Sequence, residues 1–204
     1  MSSAARGPAG AAVAFDAVIL TGGRSSRLGG VAKSGLTFAG RTLLAHTCEA
    51  AREARRLVVV GANEPELPAR AELVREEPAF GGPAAAVAAA VARLRDHPAC
   101  WTLVLACDMP FVADALPVLF AEALRTETSV LANDGGREQP LAALYRWDDL
   151  AAAVGGEEVR NLSMRALLAR VQWTAVDVPA GSTHDVDTWA DAQKLGVEGP
   201  DAGI

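Results

Sequence analysis

The chain has 204 residues, of which 50% are apolar, 22% charged and only 5% aromatic, the make-up of one ordinary soluble domain. A formal net charge of −6 argues against a general nucleic-acid-binding surface, which needs clustered excess cation, but leaves room for a small basic pocket. Three cysteines without regular spacing fit neither a secreted disulfide scaffold nor a zinc site and point to the cytoplasm.

No stretch approaches the roughly 20 apolar residues needed to cross a bilayer. Residues 1–13 read as a flexible leader of small residues, because Gly7-Pro8 and Asp16 interrupt what would be the apolar region of a signal peptide. The first strand is expected over 16–20, followed by strands at 56–60, 73–75 and 101–106, all short, apolar and rich in β-branched residues. Between them lie helical patterns. Residues 42–54 carry Leu43, Leu44, Thr47, Cys48 and Ala51 at helical spacing. Residues 84–94 are alanine-rich, and 113–124 tolerate Pro117 only near a first turn. This alternation predicts an α/β fold with a mostly parallel sheet and helices on both faces.

After Leu124 the rhythm changes. Strand-like runs at 129–132 and 141–145 flank Asn133-Asp134-Gly135-Gly136, a turn signal that predicts an inserted hairpin. Ser163 is placed to cap a helix over 164–170 and Thr188 another over 189–195, with a strand at 173–178 between them. The expected organisation is a single domain over 14–196, with a disordered tail over 197–204 that contains Gly199-Pro200-Asp201.

Four segments carry candidate chemistry. Strand 16–20 runs into Thr21-Gly22-Gly23-Arg24-Ser25-Ser26-Arg27-Leu28-Gly29-Gly30-Val31-Ala32-Lys33, a glycine-rich loop with three cations at the carboxyl edge of the sheet. Open α/β sheets bind ligands at that edge, and glycine backbone can approach phosphate oxygens. The spacing matches neither G-x-G-x-x-G nor a P-loop, so a solvated loop with ordinary surface cations is the competing reading. Asp108, in Cys107-Asp108-Met109-Pro110-Phe111, follows strand 101–106 and suits either a Mg²⁺ ligand or the cap of a turn. Glu76-Glu77-Pro78-Ala79-Phe80-Gly81-Gly82-Pro83 opens the alanine-rich helix with proline at a first helical position, and the free N–H groups behind it could face a ligand. Asp185 and Asp187, two residues apart in an extended segment, point the same way and suit either a shared divalent ion or the start of the last helix. Cys48, Cys100 and Cys107 read as packed thiols. His46, His97 and His184 are scattered and receive no catalytic role.

Taken in this order, the four segments resemble the MobA-like nucleotidyltransferases, the molybdenum cofactor guanylyltransferase family. The likeness runs from about residue 15 to 196, and the glycine-rich loop and the Cys-Asp-Met-Pro-Phe segment are its specific parts. The resemblance implies a three-layer Rossmann-like domain that transfers GMP from GTP to the terminal phosphate of molybdopterin and releases pyrophosphate. It implies nucleotide contacts from Leu20, Thr21, Gly22, Gly23, Lys33, Asn63, Glu77, Gly82 and Asp108. Arg27, Lys33 and Asp108 are the catalytic candidates, and Mg²⁺ would be held by Asp108 and Asp187. The partners implied are GTP, a molybdopterin-type acceptor and, transiently, proteins that deliver the molybdenum cofactor, with neither nucleic acid nor membrane.

Three departures from the family pattern stand out. Thr21 replaces the usual alanine, Ala32 stands where an aspartate commonly precedes the lysine, and Asp185 and Asp187 replace a pair of asparagines. An attacking phosphate is already ionised near neutral pH, so such a reaction needs positioning and charge neutralisation rather than a strong base. The competing activities are cytidylyl transfer on the same fold, a sugar-phosphate nucleotidyltransferase, and a non-catalytic nucleotide binder disabled at Ala32.

Overall fold

Val18, Ile19, Val58, Val59, Val104 and Leu105 lie in runs too short to bury themselves as helices, and each is fully buried in a strand covered on both faces. The computed structural model describes residues 13–22, 28–62, 66–76, 81–155 and 163–199. In chain order the strands are β1 (Phe15–Leu20), β2 (Thr37–Phe38), β3 (Arg41–Thr42), β4 (Leu57–Val60), β5 (Ala71–Val74), β6 (Trp101–Ala106), β7 (Ser129–Asp134), β8 (Arg137–Arg146), β9 (Trp173–Asp177) and β10 (Val197–Glu198). The helices are α1 (Leu43–Ala50), α2 (Pro83–Leu94), α3 (Leu116–Thr126), α4 (Trp147–Val154), α5 (Met164–Leu168) and α6 (Trp189–Leu195).

Seven strands form the main sheet in the order β5-β4-β1-β6-β8-β7-β9. Every neighbouring pair is parallel except those made by β8, which runs antiparallel to both β6 and β7. Successive side chains in a strand point to opposite faces. Thus Ala17, Ile19, Leu57, Val59, Leu103 and Leu105 pack beneath α1 and α3. Val18, Leu20, Val58, Val60 and Val104 pack beneath α2, α4 and α5. The three layers follow from that parity, and each buried aliphatic side chain contributes about 1.5–3 kcal/mol.

A second sheet, β10-β2-β3, closes a smaller cluster of Leu28, Leu36, Leu43, Val186, Ala192 and Val197 beside the carboxyl edge of β1. Val197 therefore belongs to the fold: the expected tail begins as a strand that pairs with β2, Val197 opposite Phe38. Likewise Val13, assigned to the leader, packs against the main core.

Several expectations are corrected in detail. The strand expected to be buried around Leu73 is the sheet's edge, where Leu73 is 43% exposed and, among the described residues, no further strand lies beside it. Cys100 is exposed in the turn before β6, whereas Cys48 and Cys107 are buried. The helix expected to Ala54 stops at Ala50, with Ala51 as its C-cap. A 3-10 turn, Val112–Asp114, precedes α3 and places Pro117 in that helix's first turn. The hairpin forms where the glycines predicted it, Gly135 and Gly136 both taking positive φ, +61° and +85°. Ser163 and Thr188 cap α5 and α6 by accepting from Ala166 N and Asp191 N. Among the described residues no helix is long and apolar enough to cross a membrane.

Candidate active site

Because β1, β4 and β6 are parallel, their carboxyl ends open onto one edge, and there the predicted segments converge. Thr21 leaves β1 with its N–H and its hydroxyl both donating to Val60 O, at 3.0 and 3.1 Å. Cys107 N donates to Leu20 O at 3.0 Å, so the chain after β6 is tied to the chain after β1. A cleft of about 490 Å³ lies between them.

One wall of the cleft is Leu20, Thr21 and Gly22 with the first turn of α2, at Gly82, Pro83 and Ala86. Gly82 is the N-cap of α2 at φ +89°, a conformation that L side chains rarely adopt, and a Cβ built there meets nothing within 4 Å. The floor is Ala106 to Met109, with Lys33 and Asp185. The opposite wall, Arg137 to Leu141, comes from β8, whose antiparallel run brings its first residues to the edge where β6 ends. Tyr145, buried beneath, donates its hydroxyl to Pro140 O at 2.8 Å and fixes the bend of that wall.

The centre of the site is an ion-pair triangle. Lys33 begins a 3-10 turn, Lys33–Gly35, that is braced by Leu43 N donating to Leu36 O at 2.8 Å. Its ammonium donates to Asp108 Oδ2 at 2.7 Å and to Asp187 Oδ1 at 2.5 Å. The Lys33 and Asp108 side chains are only 16% and 14% exposed, so their attraction is weakly screened; Asp187 is 48% exposed. Val186 N donates to Asp108 O at 3.0 Å, which lays the 185–187 segment against the end of β6. Carboxylate oxygens of Asp108, Asp185 and Asp187 lie within 4.8 Å of one another, a grouping able to hold a divalent cation.

Burial pushes the Asp108 carboxyl above its usual range, against the opposing pull of Lys33. Burial alone would lower the Lys33 ammonium, but Asp108 and Asp187 together outweigh it and hold the group above its usual value. The capping of α6 is done by Thr188 and Asp191, which bond each other's backbone N–H. Asp187 is thus available to hold Lys33.

The loop that carries Asp185 and Asp187 is held from the hairpin. Asp134, the last residue of β7, accepts from Gly181 N at 3.0 Å, Thr183 N at 3.1 Å and Thr183 Oγ1 at 3.0 Å. Burial raises its carboxyl, but these three donors outweigh that effect and leave it below the usual range.

Of the residues singled out in the sequence, Leu20, Thr21, Gly22, Lys33, Gly82, Asp108 and Asp185 line this one cleft, with Asp187 bonded to its lysine. Gly23, Arg24, Arg27, Asn63 and Glu77 lie outside the described residues. The cleft also contains Glu76, from the segment that leads into α2, together with Met164 and the β8 wall from Arg137 to Leu141, which sequence reasoning did not select as site residues. The turn signal before Arg137 marks the hairpin, but only strand order shows that its far arm reaches the cleft.

A mostly parallel three-layer sheet with a glycine-rich first loop and an acidic centre at its carboxyl edge defines a nucleotidyltransferase with a Rossmann-like fold. Residues 17–175 match the MobA-like NTP transferase domain, and the chain belongs to that family. It is 30% identical over 197 residues to a molybdenum cofactor guanylyltransferase of Bradyrhizobium sp., covering 89% of this chain and 93% of the relative. A molybdenum cofactor guanylyltransferase of Vibrio cholerae is 30% identical over 132 residues, 63% of this chain and 64% of that relative. Among solved structures, molybdopterin-guanine dinucleotide biosynthesis protein A from Archaeoglobus fulgidus superposes with a TM-score of 0.67 at 21% identity, covering 89% and 96% of the two chains. A Mycobacterium tuberculosis protein crystallised as a manganese complex superposes with a TM-score of 0.59 at 20% identity, covering 90% and 98%.

Proposed function

We propose that this nucleotidyltransferase moves GMP from GTP to the terminal phosphate of a molybdopterin-type acceptor in the cytoplasm, releasing pyrophosphate. One observation carries the reading. Lys33, Asp108 and Asp187, far apart in sequence, meet beside the first-strand loop of a chain whose curated relatives are named for this transfer.

An oxygen of the acceptor phosphate attacks the α-phosphorus of GTP, and the bond from that phosphorus to the bridging oxygen breaks as pyrophosphate leaves. The attacking group is already an anion, so the site needs no strong base; its task is to align two polyanions and offset their charge. Leu20 to Gly22 and the first turn of α2 form the wall on which the base and triphosphate rest, free backbone N–H groups at the helix start favouring anions. Lys33, held above its ordinary pKa by its acidic partners, stays charged at neutral pH and supplies cation next to the reacting phosphates. Asp108, Asp185 and Asp187 form the all-oxygen donor set that Mg²⁺ prefers, and the manganese complex of the structural relative supports a divalent ion. When bound there, such an ion would neutralise charge on the phosphate oxygens. The far wall, from Arg137 to Leu141, is left to receive the acceptor.

The test is pyrophosphate release from the purified protein given Mg²⁺, molybdopterin and either GTP or CTP. GTP is expected to support release and CTP at most about a tenth of it, a difference of roughly 1.4 kcal/mol in transition-state binding. Equal release from both would overturn the guanylyl assignment. Release from neither would overturn the catalytic one.

A further inference from the structure

The ion-pair triangle raises a question of occupancy. Lys33 does not stand beside the acidic cluster with its ammonium aimed at open solvent; it bonds Asp108 Oδ2 and Asp187 Oδ1, oxygens of the cluster that suits a cation. A small divalent ion stands about 2.1 Å from each oxygen it binds. An ammonium at 2.7 and 2.5 Å from two of those carboxylates brings the same sign of charge to the same small space, so the two cations compete for it. The carboxylates, moreover, cannot follow the lysine out. Asp108 is pinned at the end of β6, and the 185–187 segment is tied to it through Val186 N and to the hairpin through Asp134. Lys33, on a flexible four-carbon stem at the start of a 3-10 turn, is the part that can move.

We propose that Lys33 is the resident counter-ion of the cation site: it neutralises Asp108 and Asp187 in the free protein and swings to the phosphates when a divalent ion takes its place. This rests on the reading that the cluster receives such an ion, and it goes further in making the lysine a competitor of the metal before it is a partner of the nucleotide. One ammonium against three carboxylates leaves excess negative charge, so the exchange is favourable once phosphates are present to receive the displaced lysine. Metal without nucleotide has to evict Lys33 with nothing to accept it. The site accordingly binds the ion weakly alone and well together with a nucleotide, a reciprocal coupling.

The experiment is a titration of the full-length, nucleotide-free protein with Mn²⁺, followed by the electron paramagnetic resonance of the unbound ion. Lys33→Met is expected to bind Mn²⁺ at least about tenfold more tightly than the unsubstituted protein, or roughly 1.4 kcal/mol. Arg137→Met removes a cation that lines the same cleft but bonds none of the three carboxylates among the described contacts. It should change the affinity by no more than about twofold. As a second readout, Mn²⁺ should raise the melting temperature of Lys33→Met more than that of the unsubstituted protein. Affinity unchanged or weakened in Lys33→Met overturns the proposal, as does equal tightening by Arg137→Met, which would show a general field instead of occupancy. Mn²⁺ binding to Lys33→Met that survives Asp108→Asn also overturns it, by placing the ion elsewhere. Pyrophosphate release by the unsubstituted protein is measured separately, so the guanylyl assignment stands or falls on its own result.

Discussion

Removing the Asp134 carboxylate should loosen the loop that positions Asp185 and Asp187, and the cost follows from its contacts. The carboxylate accepts three hydrogen bonds, from Gly181 N, Thr183 N and Thr183 Oγ1. Deleting an acceptor for a charge-assisted bond costs up to about 3 kcal/mol when the donors are left dry. Asp134 is only half-buried, and water can reach the orphaned donors. A cost near 0.7 kcal/mol per bond, about 2 kcal/mol in all, is therefore the expected size for Asp134→Ala. For a domain of this length that corresponds to a fall in melting temperature of about 4–8 °C. Asp134→Asn keeps one acceptor oxygen and should lose about half as much.

The effect carries a pH signature. Burial raises the Asp134 carboxyl, but the donors from Gly181 and Thr183 outweigh it, so the folded value lies below the unfolded one. Stability from this group is then fully present above the unfolded carboxyl value near pH 3.9, and is lost as pH falls through the folded value. Thermal melts of the two variants and the unsubstituted protein between pH 7 and pH 3 test this. The gap should be constant at the upper end and close at the lower. A melting temperature unchanged by Asp134→Ala at pH 7, or a gap that widens as pH falls, would refute the reasoning.

Asp108→Ala should reduce guanylyl transfer by roughly a hundredfold or more while the far-ultraviolet spectrum stays unchanged; transfer above a tenth of normal would contradict its central place. Ala32→Asp should alter turnover by less than about tenfold, because Asp108 and Asp187 hold Lys33 in the free protein and the phosphates themselves fix it in the working complex. Transfer that is absent in the natural chain and appears on this substitution would identify Ala32 as a disabling residue. Gly82→Ala introduces no clash but does introduce strain at φ +89° and ψ 172°, which should destabilise the fold by about 1–3 kcal/mol in denaturant titration. A change below about 0.3 kcal/mol would mean that α2 starts with a different backbone geometry.

Much of the layered core was legible because the strand signal is local: β1, β4 and β6 are short apolar runs rich in β-branched residues, too short for helices. Which residues face which helical layer was decided by the structure, since both faces of these strands are apolar. Caps at Ser163 and Thr188 and the turn at Gly135-Gly136 were legible for the same reason, since each depends on neighbours within four residues. Leu73 was misjudged because hydrophobicity does not say whether a strand lies at a sheet's centre or its edge; only the order β5-β4-β1 shows that, among the described residues, β5 has no further strand beside it. Val197 was assigned to a tail because a two-residue strand has no periodicity, and its partner Phe38 is remote in sequence. The carboxylates of the site could be picked out one by one. Lys33 could be picked out as well, but not as the common partner of Asp108 and Asp187, because it lies 75 residues from the one and 154 from the other. The β8 wall of the cleft was hidden by the same physics: an antiparallel strand carries its first residue, rather than its last, to the functional edge, and strand direction is decided by the pairing of β6 with β8 across the sheet.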